Sequence, residues 1–535
     1  IEGVAPQITE SIPERFATYY TKIYTSISDK TAEETRELLE GIRVPKLTNE
    51  DRQTLDRELT NEEIEKAIHA LKSGKALGPN GIPVEIYKAQ SEILAPYLLQ
   101  MFQESKDQGI LPEDQRTATI ITIHKTGKPK DDCASYRPIS LLNVEAKILA
   151  KLLANRLIAV ITKLIHADQS GFMPKRSTSL NLRRVQAVLG HMSTLQEDAV
   201  ILSLDAKMAF DSIEWNYMFE ALKKLGLGPG FISWLRLLYA EPRAHVKVNG
   251  KRSRSFQLGR GTRQGCPLSP LIFALVLEPL AEWIRTDPLT RGLKWTEGWE
   301  DKISLYADDI LLYLADPESS IDRAMHILKI FGQYSGYTIN WDKSNIFLLR
   351  GQCPRLPRNS SITLSQEGFK YLGIFVTPDS ELFYLQNLQA PLTRLRTDVA
   401  HWKTLPLSLL GRATLYKMMA LPRFLYVFQN TPFEVEDHYF KIIDREVTGL
   451  LWEGGQPRIS RTKLNRSWYE GGIALPEIQL YYWAAQLTVV NQWAYMPESE
   501  PSLRMDRWLL QPKGYLRPST TAHTAKLCKA PQAPQ

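Results

Sequence analysis

Two apolar runs in this chain each reach an aspartate: "AVILSLD", from Ala199 to Asp205, and "ISLYADDILLYLAD", from Ile303 to Asp316. Their length and their content of large and β-branched residues suit buried strands. An acid that ends such a run sits against a core, where a solvated loop aspartate has little reason to be. If both runs are central strands of one sheet, Asp205 and the Asp308–Asp309 tip converge at one sheet edge. Three carboxylates with no cation nearby in sequence repel one another unless divalent ions neutralise them. Oxygen-only ligation completed by water and phosphate is what Mg²⁺ prefers, and two such ions about 3.5–4 Å apart serve an in-line displacement at phosphorus. Aspartate is also a common turn residue, so an ordinary solvated turn stays open as the alternative at this point.

Other chemistries lack their signatures. The Gly-rich loop ending in Gly-Lys-Ser/Thr is absent, as are the His and Cys spacings of zinc hydrolases. Four cysteines (Cys133, Cys266, Cys353, Cys528) are too scattered for a disulfide framework and fit a reducing compartment. No apolar run reaches the length of a membrane span. The chain opens on Ile1, which suggests an excerpt of a longer polypeptide. Its net charge of +7 only mildly favours an anionic partner. The distribution is more informative: from Pro242 to Leu277 there is no acid, yet Arg243, Lys247, Lys251, Arg252, Arg254, Arg260 and Arg263 all fall there. That pattern favours a phosphate-facing surface.

The first 55 residues read as helices and linker. "TNEEIEKAIHALKSG" carries a Thr60/Glu63 capping box, with Gly74 able to close the helix. "TATIITIHK" is strand-like, and "HVKVNGKRSRSFQL" is a hairpin turned at Asn249-Gly250. "SPLIFALVLEPLAEWI" is a helix with Ser269 as N-cap and Pro270 at its first position. After about residue 385 the pattern turns helical and aromatic, as a separate unit, and the tail "KAPQAPQ" is low-complexity and expected to be unstructured. Strands in hairpins and long connections give an α+β fold rather than a doubly wound sheet. The loop "KTGKPKDDCASYRPIS" carries Lys125, Lys128, Lys130 and Arg137, suited to a polyphosphate, although Asp131 and Asp132 fit a solvated turn equally well. "GTRQGCPLSP" has glycines that admit close backbone approach to a flat ligand, with Gln264 free to hydrogen-bond.

Asp205 with "AFD", then "GTRQGCPLSP" and "YADD", in that order, resemble the palm motifs of reverse transcriptases. "YRPISLLNVEAKILAKLLANRL", "DQSGFMP", "GYTINWDKS", "KYLGI" and "GGIALPEIQLYY" are similar to the non-LTR retrotransposons of the long interspersed element type. The resemblance runs from about residue 55 to 490. It implies a right-hand polymerase: an N-terminal extension over 1–55, fingers over 56–185, an antiparallel-sheet palm over 186–384, a helical thumb over 385–467 and the start of a C-terminal region over 468–535.

By position, Asp205, Asp308 and Asp309 match the family's catalytic, metal-holding triad, with Asp205 and Asp308 the principal ligands of two Mg²⁺ ions, for which Mn²⁺ can substitute. Phe210 matches the bulky gate against the sugar C2′. Lys125 and Arg137 match triphosphate contacts, Gln264 the residue beside nucleotide and template, and Lys343 the lysine held to protonate pyrophosphate. Tyr371, Leu372 and Gly373 match the primer grip. Tyr306 stands where relatives often have Phe. The implied partners are an RNA template, a DNA or RNA primer, dNTPs and an element-encoded RNA-binding protein, with no membrane. The implied setting is an intracellular, cytoplasmic ribonucleoprotein that acts in the nucleus. The family's apurinic-type endonuclease and Cys/His-rich segment lie outside these residues. An RNA-templated RNA polymerase and a catalytically silent RNA-binding scaffold are the alternatives; Phe210 argues against the first and the intact acids against the second.

Overall fold

The computed structural model describes residues 11–296, 299–352, 362–495 and 500–510. Cys353, Cys528 and the low-complexity tail fall outside the described residues. Among those residues, no helix is long and apolar enough to cross a membrane.

The strands in chain order are β1 (Thr117–His124), β2 (Tyr136–Leu141), β3 (Ala199–Leu204), β4 (Arg243–Val248), β5 (Lys251–Arg252), β6 (Phe256–Gln257), β7 (Leu293–Thr296), β8 (Trp299–Asp301), β9 (Ile303–Tyr306), β10 (Asp309–Ala315), β11 (Asn345–Arg350), β12 (Thr363–Ser365), β13 (Phe369–Tyr371) and β14 (Ile374–Val376). Ten of them build two five-stranded sheets, and β7–β8 and β13–β14 form two-stranded sheets of their own. The first five-stranded sheet runs β2-β1-β4-β5, with β6 also on β4. The second runs β12-β11-β3-β10-β9. Helices and strands segregate in the manner of an α+β fold, as expected.

Both apolar runs are central in the second sheet, for a reason visible in their alternation. Val200, Leu202, Leu204, Ile310, Leu312 and Leu314 enter one core with the helices Val144–Ile158 and Ser269–Thr286. Ala199, Ile201, Leu311 and Tyr313 enter a second core on the opposite face. Successive strand residues point to opposite faces, so a sheet covered on both sides needs a continuous apolar run. The helices after residue 385 supply that second cover: Phe424, Phe428, Tyr439 and Phe440 share its cluster. Their apolar stripe is therefore buried on the sheet.

Three other expectations shift. The strand β4, within the range read as palm, pairs in parallel with β1 of the first sheet, Thr117 opposite Arg243. The helix at 269 is capped by Leu268, with Ser269 and Pro270 already inside it. The helix begun by the Thr60/Glu63 capping box ends at Ala70, short of Gly74. At the N-terminus, the helix Ile12–Tyr24 buries Phe16, Ala17, Tyr20 and Tyr24 against Ala118, Ile120, Ala244 and Val246, so it is a layer on the first sheet rather than linker.

Candidate active site

The pairing of β3 with β10 sets Leu204 opposite Ile310, which brings the next residues outward, Asp205 and Asp309, to the same sheet edge. Tyr306 pairs with Asp309 across the β9–β10 hairpin, leaving Ala307 and Asp308 as its two-residue turn. Ala307 adopts φ 56°, a left-handed conformation that costs a non-glycine residue energy and marks a turn fixed by its surroundings. Asp205 and Asp308 line one cavity of about 900 Å³. Asp309 is not among the residues that line it. Among the described residues no three His, Cys, Asp or Glu side chains gather into a metal-holding group. Asp205 and Asp308 share the cavity, and the charges of both act on the neighbouring Asp309.

Burial raises the Asp308 carboxyl above its ordinary range, and the charge of Asp205 raises it further. Burial, then the charges of Asp308 and Asp205, push Asp309 up to about 7. Such mutual repulsion between oxygen donors is relieved by a divalent cation, so the pair fits Mg²⁺ completed by water and phosphate. One cation is already near: Lys343 Nζ lies 3.5 Å from Asp205 Oδ2, which also accepts from Asn340 Nδ2 at 3.2 Å. The "GYTINWDKS" segment serves both acids, since Asn340 N donates to Asp205 O (2.7 Å) and Tyr337 Oη donates to Asp308 O (3.2 Å).

Lys125, Arg137, Phe210, Gln264 and Lys343 line the same cavity. Lys125 donates to Ala134 O at 2.8 Å, and its pKa is lowered by burial and by the neighbouring charges of Lys343, Arg137 and Lys128. Cations gathered around Lys125 in this way form a surface ready for a polyanion. The Phe210 ring stacks on Phe273 at 4.3 Å and meets Phe172 edge-on at 6.2 Å. Its backbone carbonyl accepts from Thr262 N at 2.6 Å, so the ring is held from both ends.

Residues 123–376 match the family model described as reverse transcriptase (RNA-dependent DNA polymerase). A 149 kDa protein of transposon TX1 from Xenopus laevis is 27% identical over 97% of this chain and 40% of its own length. The RNA-directed DNA polymerase from mobile element jockey of Drosophila melanogaster is 27% identical over 76% of this chain and 45% of its own. A Pol polyprotein from the type-2 retrotransposable element R2DM of the same fly is 29% identical over 55% of this chain and 26% of its own. Residues 123–376 are a reverse transcriptase domain similar to those of non-LTR retrotransposons, and the chain spans less than half the length of these curated relatives.

Three features of this reverse transcriptase site escape sequence reasoning. Asp211 is buried and accepts from Tyr24 Oη at 2.7 Å and from Gln264 Nε2 at 2.9 Å. Gln264 is therefore not free but held, through Asp211, by the N-terminal helix; burial pushes Asp211 up to about 7. Nearby, Glu214 accepts from Ser26 Oγ (2.6 Å) and from Arg260 Nη1 (3.2 Å). The acid in "AFD" was the available signal for the first of these, but nothing pointed to Tyr24.

The second is the "DQSGFMP" segment. Gln169 Oε1 accepts from Ala307 N at 2.9 Å and from Gly171 N at 2.8 Å. A Cβ on Gly171 would press on the backbone of Tyr306 and Ala307, so the catalytic turn rests directly on this glycine.

The third is a buried ionic network behind the hairpin. Arg184 pairs with Asp168 (2.7 Å) and with Asp301, and Asp168 also accepts from Arg285 Nε at 2.8 Å. Asp168 O in turn accepts from Leu305 N on β9 at 2.9 Å.

Tyr371, Leu372 and Gly373 stand apart from the cavity, at the turn of the β13–β14 hairpin. Tyr371 is buried and its hydroxyl accepts from Asn181 Nδ2 at 3.1 Å, while the same amide donates to Leu305 O at 2.8 Å. That couples this turn to β9. Of the seven acid-free cations, Arg260 and Arg263 are buried and Arg254 pairs with Glu14 at 3.4 Å. Arg243, Lys247, Lys251 and Arg252 remain exposed on β4 and β5.

Proposed function

We propose that this reverse transcriptase is a right-hand polymerase that copies an RNA template from the 3′-hydroxyl of a DNA primer. In this reading the first sheet with its N-terminal helices acts as fingers, the second sheet as palm and the helices after residue 385 as thumb. The observation that carries it is the single cavity shared by Asp205 and Asp308 with Lys125, Arg137, Phe210, Gln264 and Lys343. Asp205 and Asp308 would hold the Mg²⁺ ions, or Mn²⁺ in their place, which when bound supply activation of the primer hydroxyl and charge neutralisation at the phosphate.

Lys125 and Arg137 bind the dNTP triphosphate. The primer 3′-oxygen attacks the α-phosphorus, the new P–O bond forms, and the bond to pyrophosphate breaks. Lys343 is near enough to the acids to give the leaving pyrophosphate a proton. Phe210, locked against Phe273, leaves no room for a 2′-hydroxyl and so selects deoxynucleotides. Gln264, fixed by Asp211, orients the incoming nucleotide. Asp309 tunes the acid pair, and Tyr371 to Gly373 form the primer grip. A partner RNA-binding protein from the same element, a cytoplasmic ribonucleoprotein and a nuclear site of action complete the proposal.

Primer extension on an RNA template, comparing Asp308→Ala with the parent, tests this. The variant is expected to fall to background while still binding template and primer; equal extension by the two would refute the assignment. Repeating the assay with ribonucleotides separates the RNA polymerase alternative.

A further inference from the structure

We propose that the turn Trp468–Glu470, remote in sequence from every residue of the cavity, is a stacking platform for unpaired bases of single-stranded RNA. Trp468 is 55% exposed and Tyr469 fully so, and neither takes part in a ring contact among the described residues. Two adjacent aromatic rings with open faces offer a surface on which flat bases can stack.

The turn that carries them is built to hold still. Ser467 N and Oγ donate to Glu470 Oε2 at 3.1 and 2.8 Å, and Gly471 closes the turn at φ 75°. Gly472 N then donates to Ser467 O at 2.9 Å and Ala474 N to Arg466 O at 2.7 Å. A Cβ on Gly472 would lie 2.7 Å from Lys463 O, so the returning segment is clamped onto the helix Arg461–Asn465. Leu464 and Leu475 are buried beneath it. The rings have therefore already lost most of their backbone freedom before any ligand arrives, which favours binding.

The charges nearby choose the ligand. Arg458, Lys463 and Arg466 are exposed and carry no ion pair among the described residues. Glu470, the only acid between Asn465 and Ala474, is turned back onto Ser467. Bare rings beside unpaired cations match a chain of flat bases on a phosphate backbone. RNA rather than DNA follows from the reaction, and this step rests on the reverse transcriptase reading: the template stays unpaired until it is copied, whereas new DNA leaves paired.

The test uses the full chain. In the first arm, binding of oligo(U) RNA is followed by fluorescence anisotropy. Trp468→Ala with Tyr469→Ala is expected to weaken it about tenfold or more, and Trp468→Phe with Tyr469→Phe to keep it within about twofold. In the second arm, the alanine pair should raise the KM for a primed template with a long unpaired RNA overhang, and leave extension of a short blunt-ended hybrid with minimal overhang unchanged. Unaltered oligo(U) affinity overturns the proposal. So does a defect confined to substrates with an unpaired DNA tail, or one equally large on the short hybrid. If the parent chain fails to extend any primer yet the alanine pair still loses RNA, the platform stands and the polymerase reading falls.

Discussion

Gly171→Ala tests how tightly the catalytic turn is positioned. An alanine Cβ at this site would lie 2.9 Å from the Tyr306 carbonyl carbon and 3.0 Å from Ala307 Cα, closer still to the Ala307 amide, where ordinary contact begins at 3.4 Å. Both neighbours are backbone and cannot rotate away. Gln169 ties the same amide to Gly171, so the strain cannot be absorbed on one side only. The turn bearing Asp308 must retreat by something approaching 1 Å, a misplacement that costs on the order of 100-fold in rate. Single-turnover primer extension should show that loss in the chemical step, with the Kd for dNTP nearly unchanged because Lys125 and Arg137 are untouched. Gly411→Ala is the control: its nearest neighbour is Ser408 Oγ at 3.5 Å in a helix, and it should leave the rate alone and stabilise slightly. A Gly171→Ala enzyme within about threefold of the parent, with unaltered melting, would refute the idea that this glycine sets the position of the acids.

Phe210→Val should raise the preference for ribonucleotides by roughly 10- to 100-fold, read as the ratio of kcat/KM for rNTP and dNTP; an unchanged ratio removes Phe210 as the gate. Asp211 has its carboxyl pushed up to about 7 from 3.8, so it is neutral in the folded protein at pH 5 and ionised at pH 8. The stability this group contributes is complete below pH 3.8 and is lost as pH rises through 7. Asp211→Asn stays neutral, so its stability relative to the parent should climb by roughly 2–3 kcal/mol from pH 5 to pH 8 in denaturant titrations; a flat difference would contradict the burial argument. Arg184→Met leaves Asp301 and one side of Asp168 facing a dry interior without their cation, and chemical denaturation should report a loss of roughly 3–5 kcal/mol.

The catalytic edge was legible because strand period and acid position are local properties. Continuous apolar runs of the kind found at 199–204 and 309–315 occur where a sheet is covered twice, and the acid that ends such a run is forced to the rim. Asn249-Gly250 announced its hairpin for an equally local reason, the left-handed backbone both residues adopt. What could not be read is long-range. The parallel pairing of β4 with β1 joins segments more than 100 residues apart and leaves no periodic trace in either. Tyr24 reaches Asp211 across a sequence separation of 187, and its helix looks ordinary until the sheet beneath it is known. Composition marks the C-terminal helices as apolar and aromatic, but it does not report which sheet face their stripe covers.

The Tyr24–Asp211 bond bears on where a transferable polymerase cassette can be cut. The family match starts at residue 123, a natural place to split the gene when exchanging modules between mobile elements. A graft begun there would cut away most of β1, strip the aromatic roof from Ala244 and Val246, and leave the Asp211 acid with a single donor, Gln264. Recombinants that keep both cavity acids could thus be silent for want of one phenol. The smallest heritable block able to copy RNA would have to include the helix Ile12–Tyr24.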